Sequence, residues 1–331
     1  MRRSLLIAVI AAIVAPLLAT GTAPAMEPRA KLKVVFPTTA TTFELPHFVA
    51  QDLGWLAKAG IDVEELWVNG DANALRVLVA GQGDIAAPGT FAAYSAIAEG
   101  AKIKAIASWQ PLVDYMLVAR ADIGGLQGLA HARIASASLG SLTTELPKMV
   151  MKKHNIDPSG ANFFSVGGHE ARLQAVLAGK ADAALVSALY AIHGKRTGKV
   201  TVLADLAREY PGLGYIYLMA DEKALADPAR RAALRTYVRV AVIEASRFIM
   251  AHPEEAIAVM RKRSPDLEPD VIKDAVAQLN TNKVWGVDGG LDPKVTKFTL
   301  PLALSMKSAS RDITAAEVLD GSLIAESLAA H

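Results

Sequence analysis

Hydroxyl side chains gather in a few short loops of this sequence. Thr38-Thr39-Ala40-Thr41-Thr42-Phe43 sets four threonines and an aromatic ring just ahead of a segment with helical spacing. Ser138-Leu139-Gly140-Ser141-Leu142-Thr143-Thr144 has the same character about 100 residues later. Pro88-Gly89-Thr90 joins a short apolar strand to a helix, Val166-Gly167-Gly168-His169 leads into another, and Ser187 occupies the place that matches Gly89. A helix start presents unpaired N–H groups and a partial positive charge, so a small anion can be held there. A hydroxyl at such a point either caps the helix or touches the ligand. The candidate contacts are therefore Thr38, Thr39, Thr41, Thr42, Gly89, Thr90, Ser138, Ser141, Thr143, Thr144 and Ser187, with His169 as a possible donor. Phe43, Trp109, Tyr190 and Tyr215 are candidates for stacking. These loops contain no Lys or Arg, which leaves His169 or Arg172 as the nearby charged or ionisable donors. That donor set suits a sulfonate or carboxylate better than a dianionic phosphate, and the rings admit an aromatic carboxylate equally well.

Patterns that would perform chemistry are incomplete. His169-Glu170-Ala171-Arg172-Leu173 begins like a zinc-protease helix, but Leu173 stands where the second histidine is required. There is no G-x-S-x-G elbow. Gly81-Gln82-Gly83 lacks the third glycine of a dinucleotide loop, since Ala86 takes its place, and Gly194 to Val200 has neither the spacing nor the hydroxyl of a P-loop. The seven histidines are scattered, and the chain has no cysteine, so thiolate metal sites, disulfides and cysteine nucleophiles are excluded. No cofactor and no metal are expected.

The elements that must position these loops follow from composition and pattern. The 331 residues are 52% hydrophobic, enough for a large core and about two domains, and 35 basic against 33 acidic groups give no basic face for nucleic acid. Arg2 and Arg3, an apolar run from Leu5 to Ala15 and Ala23-Pro24-Ala25 form a cleavable secretory leader over residues 1–25. In a bacterium that places the mature chain in the periplasm, and without a cysteine after the cleavage site there is no lipid anchor.

Apolar strands at Leu32–Phe36, Ile61–Val68, Ile85–Ala87 and Ile103–Ser108 alternate with helical segments, which predicts an α/β fold with mostly parallel sheets. The pattern repeats at about 100 residues. Phe43-Glu44-Leu45-Pro46 is matched by Thr144-Glu145-Leu146-Pro147, and Leu75 through Ala86 by Leu173 through Ala184. Two similar lobes are expected. If the strands at 115–120 and 215–220 both cross between them, residues 26–120 plus 215–331 form one lobe and residues 121–214 the other. In α/β sheets of this kind the ligand crevice lies beyond the carboxyl ends of the strands.

Several of these stretches resemble one family. Pro46 to Ala50 leading to Gly54-Trp55-Leu56-Ala57-Lys58-Ala59-Gly60-Ile61-Asp62-Val63 is similar to the opening motif of the solute-binding proteins of ABC importers, in the branch that takes up sulfonates, taurine, nitrate and thiamine-pyrimidine precursors. Leu78 to Ala86, Val118-Ala119-Arg120 with Leu126-Gln127-Gly128-Leu129, and Leu177 to Ala184 resemble its later motifs in the same order, with Ala130 where lysine is usual. The resemblance implies a two-lobed type II periplasmic binding protein with its ligand in the inter-lobe cleft. It also implies hinge closure over a small organic anion and delivery to an inner-membrane ABC permease with its ATPase. A monomer that performs no chemistry is expected. A related cytosolic fold that makes the thiamine pyrimidine depends on a cysteine-rich motif, which is missing here. The alternative is an exported enzyme or a sensor-partner protein that reuses the fold.

Overall fold

The computed structural model describes residues 29–38, 42–137, 141–306 and 308–329. The expected leader and the candidates Thr39, Thr41 and Ser138 lie outside them. Among the described residues ten strands form two five-stranded sheets. The first contains β1 (Ala30–Phe36), β2 (Ile61–Trp67), β3 (Ile85–Ala86), β4 (Ile103–Ala107) and β10 (Leu218–Asp221), in the order β2-β1-β3-β10-β4. The second contains β5 (Tyr115–Arg120), β6 (Arg133–Ser136), β7 (Asn162–Ser165), β8 (Ala183–Ser187) and β9 (Val200–Asp205), in the order β7-β6-β8-β5-β9. The orders are the same once β1 is mapped on β6 and β10 on β5. In each sheet the fourth strand of that order runs antiparallel to its neighbours, and the others run one way.

The repeated motif has a structural cause. Asp84 follows a helix and a glycine turn, and its carboxylate accepts the N–H of Lys33 at 2.8 Å while its own N–H donates to the Lys33 carbonyl. Asp182 does the same to Arg133, at 2.9 Å and 2.8 Å. Each aspartate thus fixes the register at which the third strand of its unit enters beside the first. Strands β5 and β8 are buried almost throughout, as expected of sheets covered by helices on both faces.

One boundary differs from the sequence reading. β5 belongs to the second sheet, paired with β8 and β9, whereas the crossing expected from the sequence puts residues 115–120 in the first lobe. An apolar run announces a buried strand but not its neighbours. The chain passes from the first sheet to the second over residues 108–114, before β5, and returns over residues 206–217, before β10. The first passage is held by close backbone packing. Gly286 donates its N–H to the Trp109 carbonyl at 2.9 Å, and a Cβ there would fall 2.0 Å from the Ser108 carbonyl oxygen.

After β10 the chain is helical. A continuous run over residues 228–251 is followed by Pro253–Arg263, Pro269–Thr281 and Pro293–Ser305. Helix Pro269–Thr281 packs on helix Ala188–Arg196 of the second sheet, where Arg196 Nη2 meets Asp274 Oδ2 at 2.6 Å. Among the described residues no helix is long and apolar enough to cross a membrane.

Candidate ligand site between the two sheets

Six helices of nine to twelve or eight residues begin just after strands or strand-end loops, three in each unit: at Leu45, Asp71 and Thr90, and at Leu142, His169 and Ala188. Five of these starts face a cavity of about 610 Å³ between the sheets. Its first-sheet side is made by Pro37, Thr38, Phe43, the turn Asn69-Gly70-Asp71, Gly89 and Phe91. Its second-sheet side is made by Ala137, Ser141, Leu142, Thr143, Gly167, Gly168, His169 and Arg172, with Tyr115 and Tyr215 between the two. The volume lies within the usual range for small-molecule sites.

Arg172 is the dominant feature. It is 1% exposed, one turn into helix His169–Leu177. Nε donates to the Leu185 carbonyl at 2.8 Å and Nη1 to the Gly167 carbonyl at 2.7 Å, while Nη2 is buried with no hydrogen-bond partner among the described residues. Among the described residues no carboxylate lies within ion-pair distance of it. Burial holds its pKa below the ordinary value, with the neighbouring tyrosines pulling the other way. A buried guanidinium without a counter-charge is costly unless something anionic completes it.

His169 stands beside it. Its Nδ1 accepts the Ser187 N–H at 2.9 Å, so the proton of the neutral ring resides on Nε2 and can be donated. Burial, and then the Arg172 charge, hold its pKa well below 6.5. The ring stacks on Tyr190 at 5.8 Å and lies 5.6 Å from Tyr115. Tyr115 packs edge-on against Tyr215 at 5.0 Å, and Tyr215 against Phe43 at 5.8 Å. Burial pushes the Tyr115 hydroxyl up to about 12, opposed by Arg172 and assisted by Asp71. At the start of the neighbouring helix, Thr143 Oγ1 accepts the Ala137 N–H at 2.8 Å and is 2.7 Å from Ser141 Oγ.

Of the residues singled out in the sequence, Thr38, Phe43, Gly89, Ser141, Thr143, His169 and Tyr215 line the cavity. Others face elsewhere, for identifiable reasons. Thr42 is buried with its hydroxyl 3.4 Å from Asp114 Oδ2, and Thr90 donates to the Gly214 carbonyl at 3.1 Å. Thr144 is buried in its helix, and Ser187 serves the site through its backbone N–H to His169. Tyr190 stands behind His169 as a stacking support. Trp109 is a correction. It is fully buried in the first-sheet core, stacked at 5.7 Å on Phe36 and 5.7 Å from His47, because the chain turns it inward after β4.

Asp71, Tyr115 and Phe91 were not singled out in the sequence. Extending the repeat upstream of Leu75 would have found Asp71, because Gly70-Asp71 opens the helix that corresponds to the one opened by Gly168-His169. Among the described residues no group of three or more His, Asp or Glu could hold a metal ion.

No curated protein matches the chain in sequence. Its architecture is similar to that of a ligand-binding component of an ABC-type import system from Staphylococcus aureus, at 15% identity and a TM-score of 0.75, over 90% of this chain and 99% of that one. It is similar to the periplasmic aliphatic sulphonate binding protein SsuA from Escherichia coli, at 15% identity and a TM-score of 0.70, over 89% and 98%. A Candida albicans protein with the generic periplasmic binding protein fold aligns at 16% identity and a TM-score of 0.66, over 91% and 95%. At these identities the likeness establishes the fold, a two-lobed α/β arrangement of the periplasmic-binding-protein type. Residues 42–256 match the NMT1/THI5-like family, and the chain belongs to it.

Proposed function

We propose that this protein captures a small organic anion, a sulfonate or a carboxylate, between its two sheets and delivers it chemically unchanged to a membrane permease of an ABC importer. The observation that carries this is Arg172, a buried guanidinium at the wall of an inter-sheet cavity whose Nη2 has no partner among the described residues. The anionic head would sit against Arg172 and the neutral His169, near the helix starts at Ser141–Thr143 and Gly168–His169. Phe43, Tyr115 and Tyr215 would cover the organic body, and Thr38 and Gly89 would approach it from the first sheet. The lobes would close by bending at the two passages between the sheets. Removal of a leader over residues 1–25 would leave the mature protein in the periplasm. Two similar structures support the transport assignment, one an import-system component and one a sulphonate-binding protein.

Isothermal titration calorimetry with alkanesulfonates, aliphatic carboxylates and aromatic carboxylates, each beside its uncharged amide or sulfonamide, tests the proposal. At least one anion binds 1:1 and is recovered unchanged, and its neutral counterpart binds at least about 30-fold more weakly, the equivalent of a lost charge-assisted hydrogen bond of about 2 kcal/mol. Equal binding of the neutral partner, or conversion of a bound compound to product, overturns it.

A further inference from the structure

The cavity is not uniformly suited to an anion. Opposite Arg172, on the first-sheet side, Asp71 opens helix Asp71–Val79 and lines the same space. Its carboxylate accepts the Gly89 N–H and, among the described residues, forms no ion pair. A carboxylate has about four acceptor positions, so one N–H leaves most of them unused. The one cation on its own helix, Arg76, also lines the cavity, but its Nη1 donates to Asn73 Oδ1 and it makes no ion pair with Asp71. Asp71 and Arg172 both act on the Tyr115 hydroxyl, in opposite senses, which places the two charges around one aromatic wall. Gly89 adds to the case: a Cβ there would fall 3.1 Å from Asp71 Oδ2 and 3.5 Å from Leu142 Cδ1, so the absence of a side chain leaves Asp71 room at the line where the sheets meet.

A simple anion entering this cavity would gain Arg172 but would place its remaining surface beside Asp71, whose carboxyl pKa burial pushes up and which has no cation within ion-pair distance among the described residues to offset its charge. A ligand with charges of both signs would satisfy both ends. Resting on the proposal that Arg172 holds an anion, we infer that the ligand is an amine-bearing organic anion, an amino sulfonate or amino carboxylate, and that Asp71 selects it by accepting hydrogen bonds from its ammonium group. The two recognition elements then lie on opposite lobes. A ligand missing either end leaves one lobe's charged group unmet, so Asp71 sets specificity rather than merely adding affinity.

The test is a set of matched ligand pairs that differ only in the amine, at several spacings: 2-aminoethanesulfonate against ethanesulfonate, 3-aminopropanesulfonate against propanesulfonate, 4-aminobutanoate against butanoate, and 4-(aminomethyl)benzoate against 4-methylbenzoate. Calorimetry on the wild-type protein gives the amine preference without any mutation. In at least one pair the amine-bearing member binds at least about 10-fold tighter, the low end for a charge-assisted hydrogen bond shielded from water. Asp71→Asn then erases that preference while leaving the affinity for the plain anion equal or improved. If the plain member binds as well as its partner in every pair, and Arg172→Met weakens both, the amine inference fails while the anion proposal survives. If Arg172→Met leaves both affinities unchanged, or no member of any pair binds, the anion proposal fails and the amine inference with it.

Discussion

Arg172→Met separates a ligand-binding role from a structural one, because the two roles predict opposite balances of stability and affinity. Methionine keeps most of the buried methylene length and removes the charge. The substitution loses two hydrogen bonds from a charged donor, to the Leu185 and Gly167 carbonyls at 2.8 and 2.7 Å. At about 1.5–3 kcal/mol each, that is about 3–6 kcal/mol. Against this, it removes a desolvated charge with no counter-ion, a penalty of several kcal/mol. The two nearly cancel, so the ligand-free variant should unfold within about 2–3 kcal/mol of the wild type.

Affinity has no such compensation. Losing the charged partner of the bound anion costs about 2–4 kcal/mol, which is about 30- to 700-fold in Kd. At a ligand concentration of about 100 times the wild-type Kd, the wild type gains about 2.7 kcal/mol of stability, and the variant less than about 1 kcal/mol. Thermal unfolding with and without the best-binding anion reads both quantities together. A ligand-free variant destabilised by more than about 5 kcal/mol would make Arg172 a clamp of the Gly167 turn rather than a receptor for charge. A variant that keeps the full ligand-induced shift would refute the anion contact outright.

Three further outcomes are expected. Burial raises the Asp114 carboxyl from 3.8 to about 6, so its folded state favours the proton; its contribution is complete below about pH 4 and is lost as pH rises through 6. Asp114→Asn should therefore raise stability by up to about 3 kcal/mol at pH 8 and by little at pH 4 in urea titrations, and equal destabilisation at both pH values would contradict this. Gly89→Ala should fold with a change under about 1 kcal/mol, since φ −60° and ψ 148° suit alanine, yet weaken ligand binding because the methyl meets Asp71; unchanged Kd would show that Asp71 lies outside the contact. Trp109→Ala should cost about 3–5 kcal/mol of stability with the ligand affinity of the surviving folded fraction unchanged, as for a large core ring; a selective loss of affinity would return Trp109 to the site.

How much of this was legible in the sequence depended on whether the signal was local. The α/β alternation and the duplication were legible because the repeated Gly-x-x-Asp or Gly-x-Ala-Asp joint performs one local task, fixing Asp84 on Lys33 and Asp182 on Arg133. The strand at 115–120 was legible as a strand, but its partners were not, since pairing is decided by β8 and β9 more than sixty residues on. The hydroxyl loops bring Thr38, Ser141 and Thr143 to the cavity wall, yet Thr42 turns to Asp114 and Thr90 to backbone: whether Thr90 meets a ligand or the Gly214 carbonyl depends on a segment 124 residues away. Trp109 was misplaced for the same reason, because Phe36 and His47 enclose it from distant positions. Asp71 lies just upstream of the repeated stretch Leu75–Ala86, and only extending the repeat's offset, that of Leu173 from Leu75, sets Asp71 against His169.

The two passages between the sheets explain how ligand contact and lobe movement are coupled on the proposed function. They do not run separately. Val113 donates to the Leu213 carbonyl at 3.1 Å, Tyr215 donates to the Pro111 carbonyl at 3.0 Å, and Leu112 and Gly214 form an antiparallel bridge. The result is a short two-stranded ribbon. Thr90 N–H, from the first sheet, reaches the Tyr215 carbonyl at 2.9 Å, and β5 leaves the ribbon at Tyr115 into the second sheet. The same two tyrosines form the wall that Arg172 and Asp71 flank. A rotation of one lobe against the other must bend this ribbon and change the angle between the Tyr115 and Tyr215 rings, now 68°. On the proposed closure, a ligand packed on both rings would have different contacts before and after it, which is the differential affinity that any ligand-driven closure requires. A ligand held by Arg172 and His169 alone would touch only the second lobe and would have no such leverage on closure.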